Sequence, residues 1–195
     1  MMQELVERVK DVAKDAVNDA HTVIPGKIVS FNPATCQAVV QPVMKYRKPD
    51  KTTIDYPQIT GVPVYFPQGN NQQASISWVV KPGDGCLLLC AEQALDYWMY
   101  GSESDSDLRF DLTNTIAIVG LFVHPGPGVQ RACDEDAVVV MAGDVVLTVK
   151  PELVQIDGNL QVNGWIHSTE DMVAGSISQQ HHTHTAPHGE TSPPH

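Results

Sequence analysis

The chain has 195 residues, 42% of them hydrophobic, and carries 12 Lys+Arg against 23 Asp+Glu for a formal charge of −11. The hydrophobic content excludes a disordered chain, and the charge opposes binding to a phosphate backbone or to an anionic membrane surface. No run approaches the ~20 apolar residues of a membrane span, and the first residues are too charged for a signal peptide, so a soluble protein made in the cytosol, without a nucleic-acid partner, is expected.

The first predicted element is an N-terminal amphipathic helix within residues 1–22. Leu5, Val6, Val9, Val12, Ala13, Ala16, Val17 and Ala20 recur on a 3.6-residue period with charged residues between them. Such a stripe has to be covered by the rest of the protein, by a second copy or by a partner. Leu5, Val9 and Val12 are the expected contacts.

From Ile24 the period changes to alternation. "GKIVSFNPATCQAVVQPVMKY" reads as a hairpin around Asn32-Pro33, and "GVPVYFP", "ASISWVV", "GCLLLCA" and "NTIAIVGLFV" follow as strands between Gly, Pro and Asn. Five or six short strands over residues 23–123, with one polar excursion at "YGSESDSDLRFD", fit a small barrel of OB type or a compact sandwich, and the barrel is preferred. Cys36, Cys86, Cys90 and Cys133 lack C-x-x-C spacing and are expected to be reduced, small buried residues, with Cys86 and Cys90 on one strand face. Trp78, Tyr97, Trp98 and Tyr100 could stack nucleic-acid bases, but the acidic balance favours buried aromatics. Glu103, Asp105 and Asp107 alternate as in a calcium loop. That run lacks the glycine at position six and the glutamate at position twelve, and so reads as a solvated loop.

"HPGPG" at 124–128 is a breaker cluster, after which the texture shifts again. Short alternating runs, "VVLTV", "LVQI", "LQV" and "WIH", recur between turns at Gly143-Asp144, Pro151-Glu152, Asp157-Gly158-Asn159, Asn163-Gly164 and Ser168 to Asp171. Strands this short cannot build a core alone. An intertwined β-helix of several copies over residues 124–178 would pair their edges and bury their apolar face.

Residues 179–195 end the chain with five of its eight histidines: His181, His182, His184, His188 and His195. On an extended strand His182 and His184 face one way across Thr183. His184 and His188 have helical spacing, but Pro187 lies between them. Two imidazoles are half a site, because zinc takes four ligands and an octahedral ion six, and a threefold axis would supply the remainder. A purification tag or a flexible metal-scavenging tract would contain the same residues.

"DMVAGSISQQHHTHTAPHGETSPP", with its H-x-H, resembles the apex of the membrane-piercing central spikes of contractile phage tails and related injection machines. "IPGKIVSFNPATCQAVVQP" looks like the start of that family's OB domain, and residues 136–178 look like its β-helix. The resemblance implies a mainly β homotrimer: N-terminal helix, OB-like barrel, triple-stranded β-helix and metal-capped apex. It implies one iron ion per trimer, held by His182 and His184 of three chains, with His181, His188 and His195 outside the motif. It further implies a virion protein at the baseplate tip, joined to the tail hub through its helix and barrel and meeting the host envelope transiently. No catalysis is expected, since H-E-x-x-H, G-x-S-x-G and phosphate-cradling glycine loops are missing from the sequence. The competing expectations are a non-viral His-rich metal-binding protein and an OB-fold binding protein.

Overall fold

The computed structural model describes residues 2–48, 50–102, 108–187, 189 and 190. The chain divides into two compact units, Met1–Pro125 and Gly126–His195.

In the first unit the 3.6-residue period forms helix α1 (Met2–Asp19). Its stripe is uncovered within the chain: Leu5, Val9 and Val12 are 61%, 61% and 69% exposed. The strands that follow are β1 (Val23–Asn32), β2 (Gln37–Pro42), β3 (Lys45–Arg47), β4 (Thr53–Asp55), β5 (Ile59–Tyr65), β6 (Gln68–Gly69), β7 (Ala74–Ser75) and β8 (Gly85–Cys90). A short helix α2 (Asp96–Tyr100) then precedes β9 (Thr115–Val119).

Five of these strands close into a barrel in the order β1-β2-β5-β9-β8. Only the β5–β9 pair is parallel. Counted along the barrel strands alone, the order is first, second, third, fifth, fourth, the Greek-key arrangement of an OB-like barrel. Period-2 alternation sends Ile24, Ile28, Ala38, Val40, Val62, Val64, Cys86, Leu88, Ala117 and Val119 inward, where they form one core.

Two glycines allow the closure. Between β2 and β5 the register slips after Ala38↔Val62 to Val40↔Ile59, so Thr60 and Gly61 together oppose Val39. Gly61, at φ +71°, supplies the left-handed backbone of that bulge. At the β8 start, a Cβ on Gly85 would lie 1.8 Å from the Leu121 carbonyl oxygen, so only glycine lets the segment after β9 pass this closely.

Between β8 and β9 the polar excursion is tied down by Asn114, which is buried. Its Nδ2 donates to the carbonyls of Gln93 and Leu108 at 2.7 and 2.9 Å, and its Oδ1 accepts the Leu95 N–H at 3.0 Å. One side chain thus holds three points of the loop.

Several expectations for this unit need correction. "ASISWVV" forms only the two-residue β7, and 121–123 form no strand. The barrel closes without them, and of the later residues of "ASISWVV" only Val80 reaches the core, while Ile76 and Val79 stay exposed. Tyr97, Trp98 and Tyr100 are exposed on α2, and Trp78 is exposed too, so these aromatics are not core residues. Glu103, Asp105 and Asp107 lie outside the described residues.

The second unit opens with a helix that the breaker cluster conceals. Pro127 occupies the first turn of α3 (Pro127–Asp134), where its missing N–H costs nothing. Cys133 is exposed on it, contrary to the buried role expected from composition; Cys86 is buried, and Cys36 and Cys90 are half-buried. Strands β10 (Val138–Ala142), β11 (Val145–Lys150) and β12 (Leu153–Asp157) form an antiparallel sheet in that order.

The registers Val138↔Val149, Val140↔Leu147 and Leu147↔Ile156 put Val138, Val140, Ala142, Val145, Leu147, Val149, Val154 and Ile156 on one face. The opposite face carries Val139, Met141, Val146 and Thr148 beside α3; a Cβ on Gly128 of that helix would meet Met141 and Val139. On the helix side Arg131 pairs with Glu135 at 2.8 Å and with Asp157 at 2.7 Å, and Lys150 pairs with Glu135 at 2.8 Å.

Residues 158–172 contain no strand, so "LQV" and "WIH" do not pair within one chain. Hairpins β13 (Val173–Ala174) with β14 (Ile177–Ser178), and β15 (Thr185–Ala186) with β16 (Gly189–Glu190), complete the unit.

Candidate metal centre

The histidines follow directly on the β13–β14 hairpin, and its last residue orders them. The backbone N–H of His182 donates to the Ser178 carbonyl at 3.2 Å, closing a turn over 178–182. The same carbonyl lies 2.7 Å from His182 Nδ1. A carbonyl oxygen can only accept, so Nδ1 carries a proton, and in the neutral ring the lone pair is then on Nε2.

The His184 ring packs edge-on to that of His182, with centroids 5.1 Å apart and planes at 88°. The H-x-H pair is therefore brought together at one place. His181 lines the same cleft as His182 and His184, along with Ser176, Ile177, Ser178 and Thr183. Its backbone N–H donates to Ser178 Oγ at 2.8 Å. His188 and His195 fall outside the described residues.

A carboxylate that the spacing of the histidines does not reveal completes the turn. Asp171 Oδ1 accepts the Gln180 N–H at 3.0 Å. The Ser178 hydroxyl, first, and that N–H, second, hold the Asp171 carboxyl below its ordinary range. Among the described residues of 158–187, only Asp171, Ser178 and His182 are half-buried; the others whose burial is described are exposed. The sole sequence signal for Asp171 is its place at the end of a turn seven residues before Ser178.

The donor set suits a divalent transition-metal ion. A ligating histidine ordinarily donates its second ring N–H to a carbonyl or carboxylate, the arrangement His182 makes with Ser178. One chain brings two imidazoles, and among the described residues no group of three or more His, Cys, Asp or Glu side chains could hold an ion.

Residues 24–120, just under half of the chain, match the protein-family model described as phage protein Gp138 N-terminal domain. The matched range begins in β1 and ends just after β9, so it covers the barrel. It supports a phage structural protein related to the tail or baseplate. No curated protein matches the chain.

Proposed function

We propose that the chain is one third of a homotrimeric spike at the tip of a contractile phage tail, which pierces the host envelope mechanically and catalyses no reaction. The observation that carries this is the face of the β10–β11–β12 sheet formed by eight apolar side chains, from Val138 to Ile156, of which all but Leu147 are exposed. An apolar face of this kind marks an interface, and three copies turned inward would bury it along an axis. The strand-like runs at 160–167, unpaired in one chain, would find their neighbours there.

His182 and His184 from each chain would meet at the apex. Iron bound there would supply a cross-link among the three chains. The chain's own contribution is to hold His182 in one tautomer and to keep the paired rings at the end of the hairpin. The stripe on α1 and the barrel would face the tail hub. Such a spike works by withstanding force, since opening its tip breaks many interchain hydrogen bonds together.

A specific observation also favours a second reading, an OB-fold binding protein: Tyr97, Trp98 and Tyr100 are exposed beside the barrel as stacking residues would be. The test is metal content together with molar mass on untagged protein purified without chelator or nickel resin. One iron per assembly of three 21.2-kDa chains is expected. A metal-free monomer that binds single-stranded DNA at low salt would overturn the spike in favour of the second reading.

A further inference from the structure

The histidine turn is held by more than its own residues. Its three half-buried residues, Asp171, Ser178 and His182, are joined through the backbone of the turn. Asp171 Oδ1 accepts the Gln180 N–H at 3.0 Å, and the Ser178 hydroxyl is the first cause of that carboxyl's lowered pKa. Ser178 Oγ accepts the His181 N–H, and the Ser178 carbonyl accepts both the backbone N–H and the Nδ1–H of His182. The Gln179 N–H donates to the Met172 carbonyl at 2.9 Å, pinning the same turn to the residue after Asp171. Without the Asp171 carboxylate, the turn loses its side-chain anchor at the Gln180 N–H.

We infer that Asp171, by anchoring the 178–182 turn at the Gln180 N–H, is a positioning residue that fixes His182 in the Nδ1–H tautomer, so that Nε2 is the nitrogen offered to a divalent metal ion. The inference rests on the assignment of His182 and His184 as metal ligands and adds to it which nitrogen binds and what sets it. Asp171 itself stays outside the coordination shell. Its effect is that of an outer partner, whose loss ordinarily lowers metal affinity about 10- to 100-fold.

The experiment uses the full chain, stripped of metal, as wild type and as Asp171→Ala, Asp171→Asn and His182→Ala. Two quantities are read: the affinity for Fe²⁺ added anaerobically, and the histidine ring ¹⁵N shifts of the metal-free protein, which report the tautomer directly. Asp171→Ala is expected to weaken Fe²⁺ binding about tenfold and to release His182 from the Nδ1–H form. Asp171→Asn, which keeps an oxygen for the Gln180 N–H but cannot accept the Ser178 hydroxyl as a carboxylate does, is expected to fall between. If Asp171→Ala matches wild type in both quantities while His182→Ala loses the metal, the inference fails and the ligand assignment stands. If affinity falls with the tautomer unchanged, Asp171 acts by another route and the inference also fails. If His182→Ala binds Fe²⁺ like wild type, the ligand assignment fails, and the inference about Nε2 fails with it.

Discussion

The barrel and the β10–β11–β12 sheet are made of the same material, short strands of alternating Val, Ile and Leu, yet they end in opposite states. In the barrel, five strands curl until the last meets the first, and the inward side chains find one another; Leu88 and Val40 are fully buried. In the sheet, three strands cover one face with α3 and leave the other bare; Val138 and Val154 remain 65% and 60% exposed. Alternation tells where a strand's apolar face is, and closure decides whether the same chain can cover it. A bulge at Gly61 and a close approach at Gly85 give the barrel that closure, and the sheet has no counterpart.

Truncating one side chain in each region probes this difference most strongly. Leu88→Ala is expected to cost the barrel about 2–5 kcal/mol, independent of protein concentration, as read by urea denaturation. Ile156→Ala, on the bare face, is expected to leave the barrel transition where it is and to lower the melting of the C-terminal unit in a concentration-dependent way. A barrel transition moved by Ile156→Ala would break the comparison.

A smaller effect tests how the barrel handles its own loose segment. Asn114→Ala removes three hydrogen bonds to residues 93, 95 and 108 and is expected to cost about 1–3 kcal/mol. Amide hydrogen exchange should show the Leu95 N–H losing protection while the Ile28 N–H, bonded to the Asp84 carbonyl at 2.9 Å, keeps its own. Equal loss at both would mean that the loop and the barrel open as one unit.

The smallest expected effect concerns the covered face of the sheet. Lys150 first, then the charge of Arg131, lowers the Glu135 carboxyl; Gln155 first and Arg131 second lower that of Asp157. Carboxyls depressed on folding stabilise the folded state above their unfolded values, 4.5 and 3.8 here, and the contribution is lost as pH falls through the folded ones. These groups are only half-buried and screened by solvent, so the loss is modest. An acid titration followed by circular dichroism should show the C-terminal unit weakening below the ordinary carboxylate range, and Arg131→Ala should flatten that dependence.

What the sequence discloses follows the same division. The α1 stripe and the hairpin at Asn32-Pro33 are local patterns, and local periodicity is enough to read them. That "ASISWVV" is largely not a strand depends on which five strands close the barrel, a fact spread over a hundred residues. Tyr97, Trp98 and Tyr100 look like core residues by composition, but α2 lies outside the barrel wall, and nothing in three neighbouring aromatics says so. Helix α3 hides behind Pro127, which breaks a helix in its interior and begins one at its first turn. In the candidate centre, the H-x-H pair is visible as spacing alone. Asp171 is not, because its hydrogen bond from the Gln180 N–H exists only once the β13–β14 hairpin has folded the two together.

The placement of the four thiols has a practical consequence. Burial pushes the Cys86 and Cys90 thiols up to about 11, which leaves almost none of the reactive thiolate at neutral pH. Cys36 is half-buried, with its Sγ–H directed at the Val64 carbonyl 3.4 Å away. Cys133 alone stands exposed, on the outer helix of the C-terminal unit. A maleimide fluorophore added at neutral pH will therefore attach there first, turning the natural chain into its own reporter. Energy transfer between differently dyed copies would then follow their association in real time, without a single engineered residue.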